Sequence, residues 1–237
     1  MKGLVLALGF LTRFPVPHLA VTGEEFAGAI RWYPVVGLLV GLVVALGGRA
    51  GASVDPWTGA AAGLAAWVLV TGALHLDGLA DVMDGIGAAH GDRQRLLAVM
   101  ADPHVGSFGV VAIGLQLVAK LVLLHAVLTA SPWPLVLVPA AARVGPLFWA
   151  RLLPPLGTGL GATVAKAVRP RDLAAGAALL ATAAVVAPPM LAAVPLIAGW
   201  GRWVRRRLGG VNGDAHGAGI ELVETGLLLA LAAIGGR

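Results

Sequence analysis

Three aspartates, Asp77, Asp81 and Asp84, stand at i, i+4 and i+7 within His75-Leu76-Asp77-Gly78-Leu79-Ala80-Asp81-Val82-Met83-Asp84-Gly85. On a helix those offsets put all three on one face. Three carboxylates so placed repel one another, and each costs roughly 2.5–3.5 kcal/mol at the middle of a membrane helix. No Lys or Arg stands between 70 and 90 to offset them. A divalent cation offsets that charge: hard oxygen donors suit Mg²⁺, which commonly bridges carboxylates and substrate phosphates. The plainer reading is a water-exposed helix end that needs no metal.

Other candidates flank this segment. Gly85, Gly87 and Gly91 are expected to break the helix, and Asp92 to cap a short one from Arg93 to Ala101. Arg93 and Arg95 are either phosphate clamps or simple topological charges. In Asp102-Pro103-His104-Val105-Gly106-Ser107, Asp102 either completes the metal site or caps the next span, and His104 is a substrate candidate. A glycine-rich loop, Leu208-Gly209-Gly210-Val211-Asn212-Gly213-Asp214-Ala215-His216-Gly217, follows Arg205-Arg206-Arg207. Glycines admit close backbone approach, and the helix N-terminus beyond favours anions. Asn212 and Asp214 are therefore substrate candidates. Glu221 and Glu224 lie deeper, where an unpaired carboxylate is costly; substrate contact or a partner such as Arg143 or Arg151 is the expectation. The six histidines show no metal-protease spacing, and His75 and His125 read as core or boundary residues.

The elements that must position these residues are membrane helices. Of 237 residues, 58% are hydrophobic and 12% charged. A soluble domain carries roughly 25% charged residues, so this composition excludes one. It also excludes a disordered chain and a nucleic-acid binder; the net charge of +5 is the loop bias of a membrane protein rather than a nucleic-acid footprint. Absence of cysteine excludes disulfides and thiolate metal sites. Apolar runs at 33–48, 56–76, 106–128, 133–150, 173–187, 188–201 and 217–235 predict an all-α polytopic bundle of six to seven spans, with Pro188-Pro189 leaving the fifth and sixth ambiguous. Residues 1–12 have no cleavage site and read as an interfacial or packed helix. With a cytoplasmic start, all 17 basic residues except Arg49, Arg237 and Lys120 fall on the cytoplasmic side, and every acidic residue except Asp55 lies on or near it. Trp32, Trp57, Trp133, Trp149, Trp200 and Trp203 are expected to form an interfacial belt. One integral-membrane catalytic domain over 1–237 is predicted, in contact with the lipid bilayer and compatible with a homo-oligomer.

Four motifs taken together are specific. Phe10-Leu11-Thr12-Arg13-Phe14-Pro15-Val16-Pro17, the aspartate segment, Arg93 through Met100-Ala101-Asp102 with Gly106 and Gly109, and Leu208-Gly209-Gly210 with Gly213-Asp214, Gly217-Ala218, Glu221 and Glu224 resemble the cobalamin synthase (adenosylcobinamide-GDP ribazoletransferase) family in order and spacing. The resemblance implies an inner-membrane transferase with an active site facing the cytoplasm. It would join adenosylcobinamide-GDP to α-ribazole or its 5′-phosphate, releasing GMP, with Mg²⁺. It implies metal and catalytic roles for Asp77, Asp81 and Asp84, support from Asp102 and Asp214, and phosphate contact by Arg93 or Arg95. Two positions depart from the family: Pro103-His104 replaces the usual Ser-Arg, and Asn212 replaces Thr.

The rivals are weaker. A CDP-alcohol phosphotransferase places Arg after Asp-Gly-x-x-Ala, where this chain has Asp81. A Mg²⁺ or corrinoid transporter typically has midplane charges in related repeats, and no repeat is visible.

Overall fold

The computed structural model describes residues 2–157 and 160–235. Its helices are α1 (Lys2–Leu11), α2 (Gly23–Ala27), α3 (Tyr33–Gly51), α4 (Pro56–Thr71), α5 (Leu74–Ala89), α6 (Arg93–Met100), α7 (Ser107–Ala130), α8 (Leu137–Ala142), α9 (Gly145–Leu152), α10 (Leu160–Ala167), α11 (Pro170–Val186), α12 (Ala193–Arg207) and α13 (Gly213–Gly235). Among the described residues there is no strand, only an isolated bridge between Pro155 and Val211. The protein is an all-α polytopic membrane protein.

Four helical stretches are long and apolar enough to cross a bilayer: Gly23–Gly51, Ser107–Ala130, Trp133–Leu152 and Gly213–Ile234. A fifth crossing exists if α4 and α5 count as one broken span. The expected six to seven is not reached by this measure. α11 and α12 have 17 and 15 residues, and a 3₁₀ turn over Pro188–Ala192 separates them. A crossing needs roughly 20 residues, and the second half of α12 carries Arg202 and Arg205-Arg206-Arg207.

Local chemistry sets the boundaries near the aspartates. Asp55 caps α4, its carboxylate accepting from the N–H groups of Trp57 at 2.8 Å and Thr58 at 3.1 Å. Pro56 occupies the first helical turn, where its missing N–H costs nothing. At the other end Gly72 and Ala73 both adopt left-handed backbone, and the chain turns by 86°. The segment expected to finish the second span is therefore a helix of its own. α5 packs on α6, α7 and α13, and runs across the end of the bundle where α4 finishes and α7 and α13 begin, outside the spanning segments.

Within α5 the expected break at Gly85 and Gly87 is absent; the helix continues to Ala89 and ends on left-handed His90 and Gly91. Gly85 serves packing instead. A Cβ there would lie 2.8 Å from Met100 Cγ and 3.0 Å from the Leu96 carbonyl, so its bare backbone lets α6 close over α5. Asp92 caps α6 as expected, accepting from Gln94 N–H at 2.8 Å and Arg95 N–H at 3.3 Å. The tryptophan belt is only partial. Trp149 is buried in the core and donates to the Ile197 carbonyl at 2.9 Å, and Trp200 stacks on Trp203.

Candidate active site

α5 and α13 bring the acidic residues together. They cross where Gly78 faces the backbone of Asp214: a Cβ at 78 would stand 2.8 Å from the Asp214 carbonyl. This contact places the start of α13, and Asp214 with it, against the face that carries Asp77 and Asp81. Asp77 is exposed and Asp81 half-buried. Burial pushes the Asp81 carboxyl up to about 6, and the charges of Asp214, Asp77 and Asp84 push in the same direction. No cation forms an ion pair with Asp77, Asp81 or Asp214 among the described residues. The cluster is an uncompensated negative patch, which sequence spacing foresaw for Asp77 and Asp81. Asp214 joins it through tertiary packing.

Asp84 is used differently. It is buried, with Oδ2 accepting from Gly106 N–H at 2.7 Å and Oδ1 from Gly109 N–H at 2.8 Å. Both donors belong to the start of α7, where backbone N–H groups have no intrahelical partner and the helix dipole favours an anion. The third aspartate of the triplet thus ties α5 to α7.

The glycine-rich loop is pinned from two sides. Leu156 N–H donates to the Val211 carbonyl at 2.9 Å, and Val211 N–H donates to the Pro154 carbonyl at 2.9 Å. Asn212 caps α13, its Oδ1 accepting from Ala215 N–H at 2.9 Å, while its Nδ2 donates to Asp214 Oδ2 at 2.8 Å. The departure at this position is conservative in physical terms, because Asn and Thr are both good helix caps. Arg93 reaches the same loop: its guanidinium lies against Gly209 and leaves no room for a side chain there. Arg95 is exposed.

The other expected site residues lie elsewhere. Asp102 is exposed and closes a local turn, accepting from His104 N–H at 2.9 Å with the His104 ring Nδ1 at 2.6 Å. Those hydrogen bonds hold the Asp102 carboxyl below its ordinary range. Glu221 and Glu224 are buried in the bundle and are held by cations rather than turned to a ligand. Lys120 Nζ stands 2.7 Å from Glu221 Oε2 and 2.6 Å from Glu224 Oε2, and Arg143 pairs with Glu224 Oε1 at 2.8 Å. Gln116 donates to Glu221 Oε2 at 2.8 Å, and Lys120 lies 4.3 Å from the Trp67 ring centre. Arg143 was a foreseen partner. Lys120, which spacing marks only as an isolated charge in a span, was missed; it stands 104 residues from Glu224 in sequence, so nothing local signals the pairing.

A cavity of about 300 Å³ opens beside the carboxylates. Asp77, Asp214 and Asn212 line it together with Phe10, Phe26, Tyr33 and two histidines, His75 and His216. Phe10 belongs to the N-terminal motif, so three segments distant in sequence converge on one cleft. Such an arrangement can hold a ligand with an apolar body and a polar edge facing carboxylates.

The family model described as cobalamin-5-phosphate synthase matches residues 3–232. A protein of Novosphingobium aromaticivorans named adenosylcobinamide-GDP ribazoletransferase is 57% identical over 240 residues, covering 99% of this chain and 98% of its own. Proteins of the same name from Thiobacillus denitrificans and Laribacter hongkongensis are 51% and 52% identical, covering 97% of this chain in each case and 94% and 96% of their own. No solved structure matches. With the match running through the aspartate helix, the glycine loop and the membrane core alike, the chain belongs to the cobalamin-5-phosphate synthase family.

Proposed function

We propose that this chain is an adenosylcobinamide-GDP ribazoletransferase, joining adenosylcobinamide-GDP to α-ribazole or its 5′-phosphate and releasing GMP. A ribazole hydroxyl oxygen attacks the phosphorus linked to cobinamide, the bond from that phosphorus to the GMP oxygen breaks, and the hydroxyl proton passes to a carboxylate. Phosphoryl transfer asks little of a protein beyond alignment and charge neutralisation. Asp77 and Asp214 border the cavity and are the candidate proton acceptors; Arg93 at the glycine loop is the candidate phosphate contact. The observation that carries the reading is the unpaired carboxylate cluster at the mouth of an amphipathic cavity, in a chain matched to the family over nearly its whole length.

The donor chemistry fits Mg²⁺. Asp77, Asp81 and Asp214 supply hard oxygen ligands whose mutual repulsion a divalent cation relieves. Among the described residues no three acidic or histidine side chains converge as a ready-made cage. Asp77, Asp81 and Asp214 would hold the ion, which supplies charge neutralisation at the diphosphate. The loop charge bias supports a site that faces the cytoplasm, and the proposed setting is the bacterial inner membrane.

The test is an end-point assay on purified, detergent-solubilised protein with adenosylcobinamide-GDP, α-ribazole and Mg²⁺, following GMP release and the mass of the corrinoid product. Product that disappears with EDTA and with Asp81→Asn supports the transfer and its site. Monodisperse protein that binds Mg²⁺ yet forms no product refutes it, and vesicle uptake without product would favour transport.

A further inference from the structure

The helix that leads into the glycine loop carries a pattern the transfer site leaves unused. On α12, Val194, Ile197, Ala198 and Gly201 recur at the spacing of one helix face, and Arg202 and Arg205 continue that face at its end. With α9 and α11 this face encloses a cavity of about 670 Å³ that shares no lining residue with the one beside the carboxylates. Small side chains make the room: a Cβ at Gly201 would stand 3.0 Å from Trp149. At the rim Leu152, Leu191 and Val194 are 66%, 65% and 52% exposed, so the groove opens sideways onto an apolar surface. In a chain with membrane spans, such a surface meets hydrocarbon rather than water.

The groove has hydrocarbon along its length and charge at one end only. Trp149 spends its Nε1–H on the Ile197 carbonyl at 2.9 Å. No acidic residue is among the described lining residues. Arg202 and Arg205 are exposed, and neither forms an ion pair among the described residues. Guanidinium forks match phosphate oxygens. From Val194 to Arg205 the helix rises about 16 Å at ~1.5 Å per residue, close to the roughly 15 Å depth of one leaflet. A soluble anion gains nothing from that apolar length, and an uncharged alkyl chain gains nothing from the arginines. Snorkelling to the interface is open to Arg206 and Arg207, which line no part of the cavity.

We infer that this groove is the binding site for one anionic phospholipid, drawn from the leaflet on the glycine-loop side. An acyl chain lies along the α12 face between α9 and α11, and the phosphodiester meets Arg202 and Arg205. Basic pockets between membrane helices hold anionic head groups in this way. The site goes beyond the transferase reading and does not depend on it. Its place in the fold gives the lipid a structural consequence: α12 runs into Leu208 and the glycine loop, and α9 runs into Pro154 and Leu156, which bridge to Val211. The bound lipid thus wedges apart the two helices whose ends anchor the loop.

The probes are dioleoylphosphatidylglycerol, dioleoylphosphatidylcholine with the same chains and a zwitterionic head, and glycerol 1-phosphate as the head without chains. Each is titrated into the full, detergent-solubilised chain, with bound lipid counted by native mass spectrometry. At roughly fivefold per arginine, the anionic lipid is expected to bind about 25-fold more tightly than the zwitterionic one. Glycerol 1-phosphate is expected not to displace it. Arg202→Gln with Arg205→Gln should bring the two lipids within about twofold of each other, while Arg206→Gln with Arg207→Gln, which removes the same charge, should keep the preference. Ala198→Trp, which fills the groove, should abolish saturable binding of the single lipid. Equal binding of the two lipids by the unmodified chain would overturn the assignment, as would displacement by the chainless head. Loss of preference in both arginine pairs alike would show general attraction to a basic surface and overturn it too, and so would a folded Ala198→Trp chain that binds normally. The arginine pairs are exposed and decide the matter even where Ala198→Trp fails to fold.

Discussion

Asp84→Asn separates a metal ligand from a structural tie. In the native chain the two carboxylate oxygens of Asp84 receive one N–H each, from Gly106 at 2.7 Å and Gly109 at 2.8 Å. An asparagine keeps one acceptor and sets an NH₂ group against the other backbone N–H, so one bond is lost and a buried donor faces a donor. Hydrogen bonds to a charged group contribute about 1.5–3 kcal/mol, and an anion at a partly buried helix N-terminus up to about 2 kcal/mol more. The expected loss is about 3 kcal/mol. At roughly 2–4 °C per kcal/mol for a chain of this size, the melting temperature falls by about 6–12 °C. Thermal unfolding in detergent reads the stability, and calorimetric titration with Mg²⁺ reads the metal site. Mg²⁺ affinity is expected to change by no more than about threefold, because Asp77, Asp81 and Asp214 remain. An unchanged melting temperature together with abolished Mg²⁺ binding would refute the tie and return Asp84 to the metal.

Three further outcomes follow from the geometry. Lys120→Met strips the cation from Glu221 and one of two from Glu224, which at about 3–5 kcal/mol for a broken buried pair should lower the melting temperature strongly; adding Glu221→Gln should restore at least half of the loss, and a native-like single variant would contradict the network. In metal-free protein Asp81, with its carboxyl pushed up to about 6, binds its proton more tightly folded than unfolded. Its contribution to stability therefore falls as pH rises from about 4 to 6, while Mg²⁺ affinity climbs through the same window by about tenfold between pH 5 and pH 7.5; equal affinities at both, or the same rise in Asp81→Asn, would count against it. Asn212→Thr keeps the cap and should leave stability and turnover within about twofold, whereas Asn212→Ala should cost about 1 kcal/mol and slow the reaction by releasing Asp214; identical behaviour of the two variants would show that the cap does not matter.

Much of the site could be read from the residues, for reasons that also mark where reading stops. Asp77 and Asp81 are legible because helical spacing places them on one face and no basic neighbour offsets them. The Asp92 cap is legible because capping is local. The third aspartate is ambiguous by the same test: Asp84 shares the face, yet its fate depends on where the start of α7 lies, which spacing within α5 does not encode. The 86° turn at Gly72-Ala73 is hidden as well, because the apolar run continues smoothly through it and Ala73 gives no hint of a left-handed backbone. Gly85 and Gly87 read as breakers by propensity, but α6 packs against bare backbone at Gly85 and Phe108 of α7 does so at Gly87, and tertiary packing wins. Glu221 and Glu224 read as functional because buried acids usually are, and the cations that hold them sit on α7 and between α8 and α9.

The two acidic groups of this protein are handled in opposite ways, and the contrast bears on function. Glu221 and Glu224 are matched by Lys120 and Arg143, two negative charges against two positive ones, and the set is sealed from solvent. A net-neutral network inside a membrane bundle costs desolvation but attracts no ion, which suits a role in holding α7, α13 and the broken α8–α9 span in register. Among the described residues Asp77, Asp81 and Asp214 have no such partners, although Arg93 lies as near as the glycine loop and a single basic residue on α5 would have served. A fold that can neutralise carboxylates deep in its core, and leaves three others uncompensated beside a cavity, is consistent with the proposed role for them of receiving charge from outside. Stabilisation alone would select a lysine beside Asp81. Its absence is understandable where the cluster must accept a cation and a proton in turn.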